Sequence, residues 1–335
     1  MHPAFAFARG PPLEFWTQLD YKKDEFVATA IYWHPDIFLH DAHANHVAMA
    51  HDRIWKVFER VSSVPGVERR LATPATADDL KLVHDDEFID HLLAVAPVKH
   101  GETYAFDRET IMNPHTLPTL LLSTGAVMQA VDAVLGAQVS NAFCASYAGH
   151  HATPTWPQGF CFTNPVAIAA RHALNQGVQR LAVIDFDTHS GNGTALSLVG
   201  EPQRVLFAET YQGGYPGTVF PNGTPAHILR TKCRNAKDFA YAWRRHLPKI
   251  AAFEPELILV SAGFDAHIRD PLGQIGLADE AYRWLANELL AITPKMVAVL
   301  EGGYHEEATP RCAALFVSQL VQAAERQPRI TPPTP

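Results

Sequence analysis

Residues 181–193 read LAVIDFDTHSGNG, a short apolar run followed by Asp185, Asp187 and His189 at alternate positions. The apolar run is typical of a buried strand in a parallel sheet. Alternate side chains of an extended chain share a face, so the three polar groups start out pointing the same way. Two adjacent carboxylates repel each other unless a cation joins them, and a divalent metal is the simplest such partner. The alternative interpretation is a pair of helix-capping aspartates with an incidental histidine.

The flanking sequence alternates between apolar runs and segments with helical periodicity. Further strands are predicted at residues 142–145, 205–208, 257–260 and 296–300, and helices at 166–175, 239–252, 280–292 and 313–324. This alternation predicts an α/β fold with a central, mostly parallel sheet flanked by helices on both faces. Residues 40–135 show helical stretches at 47–61, 77–83 and 117–135 and few clear strands, so we expect them to pack on the same sheet.

The domain organisation predicted from the sequence is simple. Residues 1–26 are predicted to form an N-terminal arm, 27–326 a single domain, and 327–335 a flexible tail that carries four prolines.

Composition narrows the classes of function. The 335 residues are 47% apolar and 19% charged, which is typical of a globular chain. The net charge of −8 lacks the basic surplus that phosphate binding requires, so nucleic acid is not expected as a ligand. No membrane span or signal peptide is evident, and we expect a cytoplasmic protein. The four cysteines are widely spaced and are predicted to be reduced core thiols, whereas the 18 histidines stand out.

Polar groups also follow three other predicted strands, and ligands of parallel sheets bind at the carboxyl ends of strands. Asp265 follows the 257–260 run and could join Asp187 and His189 as a third metal ligand, leaving one position for water. Such an oxygen-rich set suits zinc, iron or manganese. His150 and His151 follow the 142–145 run.

The two histidines are predicted to have separate roles. With Asp185 and Asn192 nearby, one imidazole would be tuned by a carboxylate and the other by a neutral amide. A structural His-His pair in a loop is the alternative. After the last run, Gly302 and Gly303 permit close backbone approach, and Tyr304 offers an O–H donor for a carbonyl oxygen that develops negative charge.

These motifs together resemble the histone deacetylase superfamily, including bacterial histone-deacetylase-like amidohydrolases, over about residues 28–320. The matching segments occur in family order: GHHA at 149–152, GFCF at 159–162, DxDxHxGNGT at 185–194, SAGFDAH at 261–267, DPLG at 270–273 and EGGY at 301–304. The resemblance implies an arginase-like domain over 27–326 and a hydrolase, a zinc-dependent deacetylase or deacylase that removes a small acyl group from an amine.

The resemblance also implies roles for individual residues. Zinc would be held by Asp187, His189 and Asp265, with His150 paired to Asp185 and acting electrostatically. His151 would be the general base, and Tyr304 would polarise the substrate carbonyl. The remaining matching positions would form the acyl-lysine tunnel and its rim: Phe160 and Tyr215 as aromatic walls, Leu272 at the rim, the backbone of Gly159 as acceptor for the substrate N–H, and Asp107 as a weaker candidate that could equally be an ordinary surface residue.

A structural potassium ion is the second cofactor that the resemblance implies, beside the backbone carbonyls of Asp185, Asp187 and His189. The sequence departs from the family pattern here. Glu209 places an additional carboxylate near the expected potassium position, and Ser190 replaces a histidine. Neither change removes a catalytic group, so activity is still expected.

The sequence is compatible with three alternative functions. The resemblance disfavours a polyamine deacetylase, because such members carry either an acidic residue at the rim position held here by Leu272 or a long insertion before the tunnel segment. Residues 97–116 are too short for that insertion. An arginase-like ureohydrolase would require carboxylates that bridge two manganese ions, and a catalytically silent acyl-ligand-binding protein would not need Tyr304 or His151. The expected partner is a small-molecule or acyl-lysine substrate, with homo-oligomerisation left open.

Overall fold

The computed structural model describes residues 29–40, 52–214, 220 and 223–326. The predicted arm and tail, and Tyr215, lie outside these residues. The strands are β1 (Thr29–Trp33), β2 (Val67–Leu71), β3 (Tyr104–Ala105), β4 (Ile111–Met112), β5 (Asn141–Cys144), β6 (Leu181–Asp185), β7 (Val205–Tyr211), β8 (Ile228–Lys232), β9 (Leu257–Ala262) and β10 (Met296–Leu300). The α-helices are α1 (Asp52–Ser62), α2 (Ala77–Leu80), α3 (Asp86–Val95), α4 (Thr116–Leu135), α5 (Pro165–Asn175), α6 (Asn192–Leu198), α7 (Ala236–Phe253), α8 (Asp279–Ile292) and α9 (Ala308–Glu325).

Eight strands form one sheet in the order β2-β1-β5-β10-β9-β6-β7-β8. Every neighbouring pair in it is parallel. β3 and β4 form a separate antiparallel pair beside the sheet. The predicted α/β class is therefore confirmed, and all the strands of the main sheet end at the same edge.

Two apolar layers cover the sheet. Along β6, Ala182 and Ile184 face one layer while Leu181 and Val183 face the other. The first layer is completed by residues of α1, α7, α8 and α9, and the second mainly by residues of α4, α5 and α6. Helices on both faces explain why the central strands are continuously apolar.

The five predicted strands are all present, but three further strands of the main sheet were not predicted. β2 reads VERRL and β8 reads ILRTK, and both lie at the edges of the sheet, where their polar side chains are partly exposed. An edge strand pairs with only one other strand and stays partly exposed to solvent. Its sequence can therefore contain polar residues and lacks the continuous apolar run that marks a central strand. β1 reads TAIYW and is fully buried, and its apolar run at 30–33 is as long as the run predicted as a strand at 142–145, so it could have been predicted from the sequence.

The predicted helix at 77–83 is shorter in the structure, where α2 ends at Leu80. Thr76 and Asp79 form a capping box at its N-terminus. α4 is the one helix of the described part of the chain that is long and apolar enough to cross a membrane, and 67% of its most apolar window is buried inside the protein. Its position on the sheet is that of a core helix.

Candidate active site

Four adjacent strands bring the polar strand ends together. β5, β10, β9 and β6 are consecutive in the sheet although they are far apart in the chain. His150 follows β5, Tyr304 follows β10, Asp265 follows β9 and Asp187 follows β6. Because all four strands are parallel, their carboxyl ends meet at one edge, where parallel sheets bind ligands.

The three predicted metal ligands converge at this edge. His189 Nδ1 lies 3.1 Å from Asp187 Oδ1 and 3.0 Å from Asp265 Oδ2. One ligand atom from each residue falls within 4.8 Å of the other two. Both carboxylates are fully buried. Buried carboxylates are stable only with compensating positive charge, so the donor set fits a divalent cation.

Backbone N–H groups orient both carboxylates. Gly302 N donates to Asp187 Oδ2 at 2.8 Å, and Thr188 N donates to Asp265 Oδ1 at 2.8 Å. A Cβ atom at Gly302 would lie 2.4 Å from Asp265 Oδ2, and one at Gly263 would lie 2.2 Å from Asp187 Oδ2. These glycines therefore permit the backbone to approach the carboxylates of Asp187 and Asp265 closely.

The electrostatics of the three residues also favour a cation. Burial raises the pKa of Asp265 to about 7, and the charge of Asp187 contributes in the same direction. Burial opposes protonation of His189, but its hydrogen bonds to both carboxylates outweigh burial and raise its pKa to about 10. In the protein alone, a protonated imidazole thus provides the positive charge that the carboxylates require. A bound metal would replace that proton.

The adjacent histidines have different partners. His150 Nδ1 lies 2.9 Å from Asp185 Oδ2, whereas His151 Nδ1 donates to Asn192 Oδ1 at 2.9 Å. Burial disfavours the charged form of His150, but Asp185 and Asp187 outweigh burial and raise its pKa well above the usual value. Burial lowers the pKa of His151 well below its usual value, and the charge of His150 lowers it further. His151 is therefore the neutral imidazole of the pair, with Nε2 free to accept a proton.

Glu301 and Arg53 were not among the predicted site residues. Glu301 Oε2 accepts hydrogen bonds from the N–H groups of Gly149 and His150, at 2.7 and 3.2 Å. Arg53 donates to the backbone oxygen of Glu301 at 2.8 Å, and its guanidinium lies 5.5 Å from the ring centre of Tyr304. Glu301 could have been found as the charged residue directly after an apolar run. Arg53 could not, because it lies on α1, remote in the chain from every strand end.

The predicted tunnel wall is linked to the predicted rim residue Asp107. Gly159 and Phe160 both have positive φ, 57° and 66°, and a Cβ atom at Gly159 would lie 2.6 Å from His151 Cδ2. Phe160 N donates to Thr110 Oγ1 at 3.3 Å, and Thr110 Oγ1 donates to Asp107 Oδ2 at 3.1 Å. The carboxylate of Asp107 thus holds the loop that packs against Phe160, and its role toward substrate stays a prediction.

Leu272 and Tyr304 share a partner in Asp270. The carboxylate of Asp270 accepts hydrogen bonds from Leu272 N at 2.9 Å and from Tyr304 N at 2.7 Å. Burial raises the pKa of Tyr304 well above its usual value, with the charge of Asp265 adding to the shift, so its hydroxyl keeps its proton. Leu272 is partly buried against the core.

The neighbouring strand end carries an ion pair. Glu209, two residues before the end of β7, is fully buried and pairs with Arg230 of β8. This is the additional carboxylate noted in the sequence near the expected potassium position, and the cation facing it is a guanidinium. The surroundings of Glu209 therefore do not fit a potassium ion that would need this carboxylate for charge balance.

A second group with metal-ligating side chains lies away from the strand ends. His267 Nε2 lies 3.0 Å from Asp279 Oδ1, and Cys312 Sγ lies 3.5 Å from the same oxygen. Arg311 donates to both oxygens of Asp279. The carboxylate is thus already neutralised, so this group does not call for a metal.

Comparison with known proteins agrees with this geometry. The family model described as a histone deacetylase domain matches residues 46–320. A probable deacetylase of Methanothermobacter thermautotrophicus is 34% identical over 79% of this chain and 82% of its own length. A histone deacetylase-like amidohydrolase of Pseudomonas aeruginosa is 30% identical over 78% of this chain and 73% of its own.

A longer relative and a solved structure also match the chain. Mouse polyamine deacetylase HDAC10 is 31% identical over 76% of this chain, which matches 42% of that longer protein. The crystal structure of the HDA15 HD domain superposes with a TM-score of 0.82 at 25% identity and covers 89% of each chain. The family match, these relatives and the shared fold lead to one conclusion: the chain belongs to the histone deacetylase family.

Proposed function

We propose that the chain is a zinc-dependent amidohydrolase that removes a small acyl group from an acylated amine such as acetyl-lysine. The observation that carries the proposal is the convergence of Asp187, His189 and Asp265 beside a neutral His151. Zinc bound by these three ligands would supply a Lewis acid that polarises a carbonyl and lowers the pKa of a bound water.

His151 is proposed to move the proton. Its Nδ1–H is held by Asn192, so Nε2 can accept a proton from the attacking water and return it to the departing amine. The carbonyl C–N bond breaks, and the products are the free amine and the carboxylic acid. His150 stays charged beside Asp185 and stabilises negative charge near the reacting carbonyl.

Tyr304 is proposed to stabilise the carbonyl oxygen. Its hydroxyl keeps its proton, so it can donate a hydrogen bond as negative charge develops. Gly159, Phe160, Tyr215 and Leu272 would bind the acyl-amine chain. Gly302 and Gly303 are proposed to contact substrate through the backbone of the turn after β10.

The first test measures metal content and hydrolysis together. The purified full chain is expected to contain one zinc ion and to hydrolyse an acetyl-lysine peptide, with loss of activity on chelation and recovery on addition of zinc. Asp265→Ala should lose both the metal and the activity. Asp279→Asn serves as the matched control because it alters the second cluster of possible ligands, and it should retain zinc.

Other outcomes would contradict the proposal in distinguishable ways. One metal ion without hydrolysis of any acylated amine would indicate an acyl-ligand-binding protein. Two manganese ions per chain, with urea as product from a guanidino substrate, would indicate a ureohydrolase. An acetylated polyamine should be assayed in parallel, since one relative is named a polyamine deacetylase. Hydrolysis of the polyamine with no turnover of the peptide would overturn acetyl-lysine as the model substrate.

A further inference from the structure

Three neighbouring strands place Asp185, Glu209 and Arg230 in one row across the sheet. Asp185 of β6 is the register partner of Glu209 on β7, and Glu209 is the register partner of Arg230 on β8. The side chain of Glu209 is fully buried and that of Arg230 is only 10% exposed. The row therefore connects Asp185, the hydrogen-bond partner of His150, with Arg230 on the edge strand β8.

The ion pair holds the two residues that separate His189 from Asn192. Glu209 Oε2 accepts a hydrogen bond from Gly191 N at 2.8 Å, and Arg230 Nη2 donates to Ser190 Oγ at 2.7 Å. Glu209 and Arg230 also bind each other through Oε1 and Nε. His189, a proposed metal ligand, and Asn192, the partner of His151, therefore flank a two-residue segment that the Glu209–Arg230 pair holds in place.

Aromatic rings hold the guanidinium itself. It lies 4.9 Å from the ring centre of Tyr211 and 5.9 Å from that of Phe220. A planar guanidinium can stack on aromatic faces while its fork of N–H groups binds oxygen atoms, which an ammonium group does less well. The Arg230 guanidinium is therefore held by two aromatic rings and by hydrogen bonds to Glu209 and Ser190.

Charge balance argues against an additional monovalent cation here. The carboxylate of Glu209 is matched by Arg230, and that of Asp185 has the ring nitrogen His150 Nδ1 as a hydrogen-bond partner at 2.9 Å. A potassium ion beside this row would add a buried positive charge without an unpaired carboxylate to balance it, and such a charge is costly to bury.

We propose that Arg230 is a positioning residue whose guanidinium supplies, from the chain itself, the positive charge that the family resemblance assigns to bound potassium. The fold and activity of this protein are then independent of potassium. Loss of Arg230 leaves Glu209 as an uncompensated buried carboxylate and frees the 190–191 segment. The catalytic part of this inference rests on the proposed function, whereas its cation-binding part does not.

The first experiment uses the wild-type, zinc-loaded chain. Its melting temperature and its hydrolysis of an acetyl-lysine peptide are measured in potassium chloride and in choline chloride at equal ionic strength. Both quantities are expected to be the same in the two salts. A melting temperature or kcat that rises with potassium but not with choline would overturn the proposal, even if no variant could be prepared.

The second experiment compares Arg230→Met, Arg230→Lys and Arg234→Met. Arg234→Met is the matched control because Arg234 forms an ion pair with Asp238 at an exposed site of the same part of the chain. Arg230→Met is expected to lower kcat by about 10- to 100-fold in choline chloride, the usual effect of removing a group that orients a metal ligand. Potassium should restore part of the loss, and Arg230→Lys should retain more activity than Arg230→Met.

Melting temperature and hydrolysis together distinguish a failure of the Arg230 proposal from a failure of the proposed function. If the chain hydrolyses no acylated amine, the melting temperatures still test the cation site, and potassium should raise only that of Arg230→Met. If hydrolysis is present but Arg230→Met shows the activity of Arg234→Met in both salts, the positioning role is wrong while the proposed function stands.

Discussion

His150 and His151 show how neighbouring side chains of one type acquire different chemistry. Both are buried, which favours the neutral imidazole, but only His150 lies against a carboxylate. The amide of Asn192 provides a hydrogen bond to His151 without a charge, so its pKa falls below the usual value rather than rising. A carboxylate at one Nδ1 atom and an amide at the other thus help to shift the pKa values of two adjacent buried imidazoles in opposite directions.

At the same scale, Tyr304→Phe should separate catalysis from metal binding. The change removes one hydroxyl, so zinc content should be unchanged while kcat falls by about a hundredfold, the effect of losing one oxyanion donor. Tyr241→Phe is the control, because Tyr241 is 62% exposed and distant in the chain from every strand end of the site. Unchanged turnover of Tyr304→Phe on an acetyl-lysine peptide would show that the hydroxyl does not polarise the carbonyl.

At the scale of elements, the sequence allowed the strands of the sheet centre to be predicted but not their order. β5, β6, β9 and β10 are marked by apolar runs, and each is followed by polar residues. Their spatial order, β5-β10-β9-β6, depends on crossover connections through helices, and hydrophobic patterns do not encode which strands become neighbours. The proposed metal ligands could be identified as candidates from the sequence because they lie within four residues of the ends of two of these strands.

Contacts made by other elements could not be predicted in this way. Arg53 reaches the site from α1, and Arg230 reaches Glu209 from an edge strand with little apolar pattern. Each is an arginine whose role depends on a partner more than 20 positions away in the chain. Such pairs become visible only once the order of the strands and the packing of the helices are known.

The turn after β10 offers a test at the element scale. Gly302→Ala would place a Cβ atom 2.4 Å from Asp265 Oδ2 and 2.5 Å from Asp187 Oδ2, so the ligand carboxylates would have to move. Zinc affinity should fall by about tenfold or more. Gly200→Ala is the control because a Cβ atom there would meet nothing within 4 Å. Equal zinc affinities of the two variants in a chelator competition would contradict the close approach described for this turn.

At the scale of the whole molecule, buried neutral histidines couple stability to pH. His84 donates from Nδ1 to Thr153 O at 2.9 Å and accepts from Asn164 N at 2.9 Å, so it joins the two ends of the loop that carries Phe160. Burial lowers its pKa to about 4. His40 and His246 are also buried, and burial lowers their pKa values to about 3 and about 4.

The direction in which stability changes with pH follows from the pKa of His84 in the folded and in the unfolded chain. An unfolded histidine has a pKa of about 6.5, so the unfolded chain binds the proton first as the pH falls. The stability that neutral His84 contributes is therefore present above pH 6.5 and is lost progressively toward pH 4. Protonation in the folded state would also remove the acceptor that Asn164 N uses.

His84→Gln should reduce this loss, because a glutamine amide supplies one donor and one acceptor but does not titrate in this range. Between pH 7 and pH 5, the free energy of unfolding of the wild type should fall by about 2 kcal/mol more than that of the variant. Urea denaturation at the two pH values measures the difference. Any contribution of the metal site to the pH dependence of unfolding is the same in both proteins and cancels in the comparison. Parallel losses in the two proteins would mean that His84 is protonated to the same extent before and after unfolding.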